Sequence, residues 1–199
     1  EKAINNKTKA IMIVHLLGNP CDMKKIVKIA KKHNLWLIED SCEAHGAKFN
    51  GKHVGTFGDL ATFSFFASHH ITTMEGGMLI TNNKVLHEFA KSMRTFGWSR
   101  ELSSKKQLEK KFSNIDPRFL FVNTGFNFRP TELQGAFGIH QIDELEKLVK
   151  IRIKNADYWN KRLSKFSNLI LTKSEKDRRK SYLFYPITVK KNKLFKKQD

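Results

Sequence analysis

A strand–helix–strand pattern near the start of the chain constrains the fold more than any other feature. Residues 9–16 (KAIMIVHL) form an apolar run typical of a buried strand. Asp22 can cap a helix over 23–32, in which the apolar residues lie on one face. A second short apolar run follows at 35–38. Because a helix separates the two strands within about 30 residues, they are predicted to pair in parallel as a βαβ unit.

The same patterns predict the elements that follow. Further strands are expected at 60–66 and 77–81, and a helix at 84–96. Residues 99–124 are polar and are predicted to be an irregular loop. Pro130 should open a helical stretch with breaks near Lys154 and Ser167. Residues 182–189 are predicted to form a strand of a second unit. The fold class is therefore α/β, with a smaller domain begun near the end of the sequence.

Composition narrows the possible functions. The net charge is +18, from 37 Lys and Arg against 19 Asp and Glu. The lysines are scattered, and no nucleic-acid motif accompanies them, so we expect no nucleic-acid partner. Steering of an anionic substrate is the functional alternative to a merely lysine-rich composition. The sequence has no long apolar run and no apolar leader, and it has two cysteines. These features predict a cytoplasmic protein that does not act in the membrane.

Two groups of polar residues follow predicted strands. Asp40 comes just after the strand at 35–38, and the segment from Ser64 to His70 comes just after the apolar residues LATF (60–63). In parallel α/β sheets, ligands bind at the carboxyl ends of the strands. An acid in this position can also simply cap the next turn. Position alone leaves both interpretations open.

Four motifs, read together and in order, resemble the DegT/DnrJ/EryC1/StrS family of nucleotide-sugar enzymes. They are HLLGNP (15–20), IEDSCEAHGA (38–47), GTFGDLATFSFFASHHITTMEGG (55–77) and GFNFRPTELQGAFGIHQI (125–142). The resemblance implies the aspartate-aminotransferase fold, with a three-layer α/β/α large domain and a small α+β domain. Residues 1–140 would then belong to the large domain that binds pyridoxal phosphate. Residues 141–199 would provide a connecting helix and the start of the small domain, so the sequence is expected to be a fragment.

The resemblance also assigns roles to individual residues. Asp40 matches the acid that faces the pyridine nitrogen of the cofactor, and Glu43 matches a residue beside the ring. Ser64 matches the hydroxyl that binds the cofactor phosphate. Asn127 matches a residue that reaches the cofactor phosphate of the neighbouring subunit, which implies a homodimer. The alternatives are a solvated turn acid for Glu43, a small strand residue for Ser64 and a turn residue for Asn127.

His69 is the position at which the sequence departs from ordinary members of the family. Those members have the lysine that anchors the cofactor six residues before the Glu of a Glu-Gly-Gly motif. Here that Glu is Glu75, so the position falls on His69, and no lysine lies between Lys52 and Lys84. Imidazole cannot anchor the cofactor covalently, but it moves protons near neutral pH. The role of His70 stays open between a second site residue and a mere neighbour.

This substitution resembles one branch of the family, the 3-dehydratases of 3,6-dideoxysugar pathways, and most closely the GDP-sugar enzymes of the colitose pathway. The resemblance implies a pyridoxal or pyridoxamine phosphate enzyme that removes the C3 hydroxyl of a nucleotide-diphosphate 4-keto-6-deoxysugar. Glutamate would supply the amine, in deoxysugar or lipopolysaccharide biosynthesis, and His69 would be the catalytic base.

The cysteines of the sequence do not suit an iron–sulfur cluster. A related CDP-sugar dehydratase carries an iron–sulfur cluster, but residues 97–124 contain no cysteine and Cys42 stands alone. We therefore expect no cluster and no metal. The rival functions are a sugar aminotransferase with an unusual anchor, a non-catalytic relative that does not bind the cofactor, and a nucleic-acid binder.

Overall fold

A four-stranded sheet forms the centre of the molecule. The structure is a computed structural model that describes residues 1–173 and 175–190. Strands β1 (Ala10–Val14), β2 (Trp36–Asp40) and β5 (Leu60–Ser64) lie side by side in parallel. Strand β6 (Gly77–Ile80) completes the sheet in the order β1-β2-β5-β6, antiparallel to β5. The predicted parallel βαβ unit is confirmed.

Helix α1 (Met23–Lys32) covers one face of this sheet. The Asp22 carboxylate accepts a hydrogen bond from the Lys25 amide at 3.2 Å, so it caps the helix as predicted. Met23 and Ala30 are buried against Leu37 of β2. Further apolar side chains pack around this core. They come from β1 (Ile11 and Ile13), from α1 (Ile26 and Val27) and from the loop before β5 (Phe57). The apolar stripe on α1 therefore fixes which side of β1 and β2 faces inward.

A buried carboxylate, that of Glu39 in β2, joins three segments behind the sheet edge. Its Oε1 accepts hydrogen bonds from the amides of Phe57 (2.7 Å) and Gly58 (2.6 Å). Its Oε2 accepts one from the Gly55 amide at 2.7 Å and lies 3.0 Å from His15 Nε2. Since the Cys21 amide donates to His15 Nδ1, the ring proton of His15 sits on Nε2. Both carboxylate oxygens are thus fully used.

Short strands and helices complete the first part of the chain. The hairpin of β3 (Lys48–Phe49) and β4 (Lys52–His53) pairs with β8 (Arg178–Arg179). Helix α2 (Lys84–Arg94) is capped by Asn83 and ends two residues before the predicted position. The prediction of an irregular loop at 99–124 is wrong in part, because α3 (Lys105–Lys111) lies within it. Residues of high helix propensity and the Lys105–Glu109 ion pair favour that helix.

Helix α4 (Glu132–Leu163) is continuous over 32 residues. Thr131 and Gln134 form a capping box at its start. The predicted break near Lys154 is wrong: burial of Val149 and Ala156 on either side of that position keeps the helix intact. The predicted boundary between residues 140 and 141 falls inside α4, and the division into domains remains a prediction. No helix in the described residues is long and apolar enough to cross a bilayer.

The last described segment forms a small separate sheet. Strand β7 (Leu169–Leu171) pairs antiparallel with β9 (Ile187–Val189). The predicted strand at 182–189 is therefore correct only in its last three residues. Tyr182 has a left-handed backbone (φ 49°), and the Leu183 amide donates to the Leu17 carbonyl instead of to a neighbouring strand. Residues 191–199 of the predicted small domain lie outside the described residues.

Replacing Glu39 by Gln tests whether the buried carboxylate supports the fold. An amide offers one acceptor oxygen, and its NH2 group would face amide donors. We expect Glu39→Gln to lower the free energy of unfolding of the full-length protein by about 3 kcal/mol, measured by urea denaturation at pH 7. Glu144→Gln is the matched control, since it breaks only the exposed pair with Lys147 and should cost less than about 1 kcal/mol. Equal stability of the two variants would contradict this role.

Candidate functional site

Asp40 and Ser64 lie at the same edge of the central sheet. Asp40 is the last residue of β2 and pairs with Thr62 of β5. Ser64 lies two residues beyond Thr62, at the end of β5. Because side chains alternate along a strand, Asp40, Thr62 and Ser64 face the same side of the sheet. Leu37 and Glu39 point to the other side of the sheet, which is covered by α1. Asp40, Thr62 and Ser64 therefore face away from α1.

The Asp40 carboxylate keeps one oxygen available. Its Oδ1 accepts a hydrogen bond from the Cys42 amide at 3.1 Å. Among the described residues, no hydrogen bond reaches its Oδ2. The Cys42 thiol lies 3.6 Å from the Thr62 hydroxyl. Burial, together with the hydrogen bond to Asp40, raises the pKa of this thiol to about 11, so it stays protonated at neutral pH.

Glu43 reaches from the turn after β2 to the turn after β1. Its Oε2 accepts a hydrogen bond from the Leu17 amide at 2.6 Å. Leu17 has a left-handed backbone (φ 55°) inside the short 3-10 turn Leu16–Gly18. Glu43 therefore ties together the carboxyl ends of β1 and β2. It is half-buried, and it is not the freely solvated acid that the sequence left as an alternative.

His69 sits in the loop between β5 and β6. The Phe66 amide donates to Ser64 Oγ at 3.2 Å, and the His69 amide donates to the Phe66 carbonyl at 3.0 Å. These bonds turn the chain back directly after Ser64 and bring His69 close to the end of β5. The His69 ring has no hydrogen-bond partner among the described residues, and its Nδ1 is buried. A buried ring nitrogen without a partner is a group available to a ligand.

Two further histidines lie near His69: His70, the next residue of the loop, and His45, which the sequence did not indicate as a site residue. His45 is 4% exposed, and neither of its ring nitrogens has a hydrogen-bond partner in the part of the chain that the structure describes. Its ring centroid lies 5.3 Å from that of Phe63 and 5.6 Å from that of His70. Burial, then the charges of His70 and His69, lower the pKa of His45 to about 4. Burial also lowers the pKa of His70 to about 4. Only the tertiary structure reveals this cluster.

Asn127 is placed apart from the other predicted site residues. It forms an isolated antiparallel bridge with Thr95, just after α2, and its side chain is exposed. No hydrogen bond in the described ranges connects it with Asp40, Glu43, Ser64 or His69. Four of the five predicted residues lie at or just after the carboxyl ends of β2 and β5, namely Asp40, Glu43, Ser64 and His69. Asn127 lies on the surface.

A cavity of about 430 Å³ lies next to the turn that Glu43 holds. Its lining includes Leu17, Cys21 and the basic residues Arg178 and Lys180. The Arg178 guanidinium donates to the Pro20 carbonyl at 3.1 Å and lies 3.2 Å from a Glu175 oxygen. The cavity is therefore bounded by the turn after β1 on one side and by the C-terminal segment on the other.

Comparison with known families identifies this arrangement. The profile of the DegT/DnrJ/EryC1/StrS aminotransferase family matches residues 1–199. The chain belongs to this family. The resemblance carried by the four sequence motifs is thereby confirmed.

Individual relatives place the chain more closely within the family. It is 44% identical over 158 residues to a GDP-4-keto-6-deoxy-D-mannose 3-dehydratase of Yersinia pseudotuberculosis, covering 78% of this chain and 40% of that protein. It is 40% identical over 164 residues to a GDP-perosamine synthase of Escherichia coli O157:H7, covering 82% and 41%. A solved E. coli GDP-4-keto-6-deoxy-D-mannose 3-dehydratase with bound hydrated PLP superposes with a TM-score of 0.87 at 37% identity, covering 96% and 49%. The predicted aminotransferase fold is confirmed.

The chain spans less than half the length of these relatives. The residues it contains nevertheless fit a pyridine cofactor with a phosphate group. Asp40 Oδ2, which no described residue engages, can accept a hydrogen bond from a ring N–H. The Ser64 oxygen accepts one amide hydrogen bond, and its hydroxyl proton remains available to a phosphate oxygen. The orphaned Nδ1 of His69 lies just beyond Ser64.

The buried histidines predict how stability changes with pH. A histidine with a folded pKa of about 4 and an unfolded pKa of about 6.5 binds more protons when unfolded between those values. Stability should therefore fall as the pH drops from 6.5 to 4, by up to about 1.4 kcal/mol per pH unit for each such histidine. His45→Leu should make the free energy of unfolding less dependent on pH by the contribution of one histidine. Urea denaturation of the full-length protein at several pH values measures this dependence. Exposed His140→Leu is the control, and identical slopes in both variants would contradict the prediction.

Proposed function

We propose that the protein is a pyridoxal/pyridoxamine phosphate-dependent 3-dehydratase acting on a nucleotide-diphosphate 4-keto-6-deoxyhexose. One observation carries the proposal: the His69 ring has no hydrogen-bond partner among the described residues, and it stands six residues before Glu75, where the resemblance to the family implies the anchoring lysine. The named 3-dehydratases among the relatives support it. GDP-4-keto-6-deoxy-D-mannose, the sugar in their names, is the first substrate to test, with glutamate as amino donor.

Asp40 and Ser64 would hold the cofactor. Asp40 Oδ2 would accept a hydrogen bond from the protonated pyridine nitrogen, and the Ser64 hydroxyl would donate to the phosphate. Glu43, fixed to the Leu17 amide, would limit the space beside the ring. When bound, the cofactor supplies the electron sink for loss of the sugar hydroxyl. The part of this chain is to orient the ring and to keep it protonated.

His69 would move the proton. Its ring is not engaged by any described residue, so a nitrogen lone pair is available. An imidazole takes up and returns protons near neutral pH, whereas it cannot hold the cofactor as the missing lysine would. The C3 hydroxyl would leave as water with a proton returned by His69. Hydrolysis would then restore the ketone at C4 and release the nitrogen supplied by glutamate as ammonia. An enzyme with an anchoring lysine would deliver an amine to C4.

The rival within the family is a nucleotide-sugar aminotransferase. It is favoured by the 40% identity to a GDP-perosamine synthase. The absence of lysine from residues 53–83 argues against it. The product separates the two functions, since an aminotransferase yields an amino sugar and a dehydratase a deoxy sugar. A non-catalytic relative would fail to bind the cofactor at all.

Substitution of His69 tests the proposed role directly. In the full-length protein, His69→Asn should bind pyridoxal phosphate nearly as well as the wild type, because Asp40 and Ser64 remain. It should slow loss of the C3 hydroxyl by about 10²- to 10⁴-fold, followed by mass spectrometry of the sugar product. Borohydride should fail to fix the cofactor to the wild-type protein, and dialysis should remove it.

Two further variants make this test specific. His69→Lys should allow covalent attachment of the cofactor and shift the product toward an amino sugar. His87→Asn changes an exposed histidine of α2 and should leave the rate unchanged. Dehydration by His69→Asn at close to the wild-type rate would show that His69 is not the base.

The proposal includes a homodimer in which each subunit completes the other's site. Asn127 is flanked in sequence by Phe126 and Phe128, whose exposed rings stack with their centroids 5.1 Å apart. Exposed apolar side chains continue along the first turns of α4, namely Leu133, Phe137, Ile139 and Ile142. Apolar surface of this extent is typical of a protein–protein interface. A second copy of this surface would place Asn127 near the partner's cofactor phosphate.

A charge placed on this surface should separate the subunits. Phe128→Glu, at a side chain that is 70% exposed, should shift the full-length protein from dimer to monomer in sedimentation velocity and lower its activity. The control is Phe166→Glu beyond the far end of α4, which is about 48 Å long. A fully active, cofactor-loaded wild-type monomer would rule out the shared site.

A further inference from the structure

His70 connects the loop that carries His69 to a segment far along the chain. Its side chain is 3% exposed, and its Nε2 lies 3.1 Å from the Ser181 carbonyl oxygen. Since a carbonyl only accepts hydrogen bonds, the His70 ring proton must sit on Nε2. The two residues are 111 positions apart in sequence. No other side-chain hydrogen bond among the described residues links residues 64–71 with the segment at 181–183.

The segment at 181–183, which we call the anchor segment, is held on several sides. The Ser181 amide donates to the Gly18 carbonyl at 2.9 Å, and the Leu183 amide donates to the Leu17 carbonyl at 3.1 Å. Arg152 of α4 donates to the carbonyls of Tyr182 (3.1 Å) and Leu183 (2.9 Å). Ser181 is fully buried. The carbonyl that His70 binds is therefore a fixed point.

Gly18 makes the close contact with the anchor segment possible. It has a left-handed backbone (φ 80°), and a Cβ atom there would lie 2.6 Å from both Ser181 Oγ and the Tyr182 nitrogen. Only glycine allows this approach. The turn that contains Gly18 is the one whose Leu17 amide binds Glu43 at 2.6 Å. Glu43 and the His69 loop are thus fastened to the same anchor segment, one through Leu17 and the other through His70.

The other bonds of the His69 loop leave His69 itself loosely held. The loop is closed by the amides of Phe65 and Thr73, which donate to Gly76 and Phe65 carbonyls, both at 2.9 Å. Between these points, His69 and His70 make two hydrogen bonds. The His69 amide donates to the Phe66 carbonyl, and the His70 side chain donates to the Ser181 carbonyl. Further along the loop, the Thr72 amide donates to Gln141 Oε1 at 3.1 Å, and the Gln134 side chain donates to the Glu75 carbonyl at 2.7 Å. Of the bonds that tie the loop to distant residues of the described chain, the bond from His70 to Ser181 is the nearest to His69.

We propose that His70 is a positioning residue that holds His69 at the site through its hydrogen bond to the Ser181 carbonyl. We assign it no contact with the substrate, because its side chain is 3% exposed and its Nε2 is engaged by Ser181. Its buried Nδ1 has no hydrogen-bond partner among the described residues, so the variants below must also test it as an acid or base. This inference rests on the proposed function of His69 for its consequence in catalysis. The hydrogen bond and the placement of the loop do not depend on that function.

A pair of substitutions separates the hydrogen bond from the rest of the side chain. Gln places an N–H group near the position of the His70 Nε2, whereas Leu fills a similar volume without a donor. In the full-length cofactor-loaded protein, His70→Leu should lower kcat for dehydration about 10- to 100-fold with little change in KM, since displacement by about 1 Å costs that much. His70→Gln should recover kcat to within about threefold of the wild type. The control is His87→Leu at an exposed residue of α2, which should change neither constant.

A measurement without substrate tests the same bond. Hydrogen–deuterium exchange should show faster exchange of the amides at 65–73 in His70→Leu, by about tenfold or more, and near wild-type exchange in His70→Gln. If exchange at 65–73 is the same in both variants and the wild type, the proposal is overturned. If His70→Gln is as inactive as His70→Leu while its exchange is normal, His70 is itself the acid or base and the proposal is also overturned.

These results remain distinguishable from a failure of the proposed function. If the wild type does not dehydrate nucleotide sugars, the exchange data alone decide whether His70 holds the loop. If dehydration is normal in His69→Asn, the assignment of the base fails, whatever the His70 variants do. Equal loss of thermal stability in both His70 variants, with kcat unchanged in both, would reduce His70 to a purely structural residue and overturn the proposal.

Discussion

The hydrogen bonds of the buried Glu39 carboxylate support the whole site region. Two segments donate to it: the end of β1 through His15, and the loop at 55–58 through three amides. Burial raises the pKa of Glu39, but its hydrogen bonds to His15 and to the three amides outweigh that effect and leave the pKa lowered. Because Asp40 is the next residue in β2, the bonds that fix Glu39 on one face of the sheet also fix Asp40 on the other.

The site is built from the two faces of one sheet edge. On the inner face, Glu39 and His15 join β1, β2 and the loop before β5. On the outer face, Asp40 and Ser64 present free hydrogen-bonding groups, and Glu43 fastens the turn after β1. The His69 loop then folds over the end of β5 and is secured by His70 to the anchor segment. A buried, fully satisfied network thus supports a neighbouring set of groups whose partners are left open, as is typical of a ligand site.

Much of the fold could be predicted from the sequence because its signals are local. The Asp22 cap, the apolar stripe of α1 and the parallel pairing of β1 and β2 depend on residues a few positions apart, and all were predicted. Two of the errors arose where distant contacts override local patterns, whereas the signal of the missed helix α3 is local. Helix α4 continues through Lys154 because Val149 and Ala156 are buried. Residues 182–186 do not extend β9 because the anchor segment bonds to Leu17 and Gly18 instead.

The sequence by itself determined the family, the placement of Asp40 and Ser64 at strand ends, and the absence of lysine between Lys52 and Lys84, on which the proposed role of His69 rests. Each of these depends on residue identity and short spacing. The tertiary structure alone decided that Glu39 is the buried acid, that His45 and His70 are buried beside His69, and that His70 bonds to Ser181. The physical reason is that burial and hydrogen-bond partnership depend on which distant segments meet, and nothing local in the sequence signals a contact between His70 and Ser181, which are 111 positions apart.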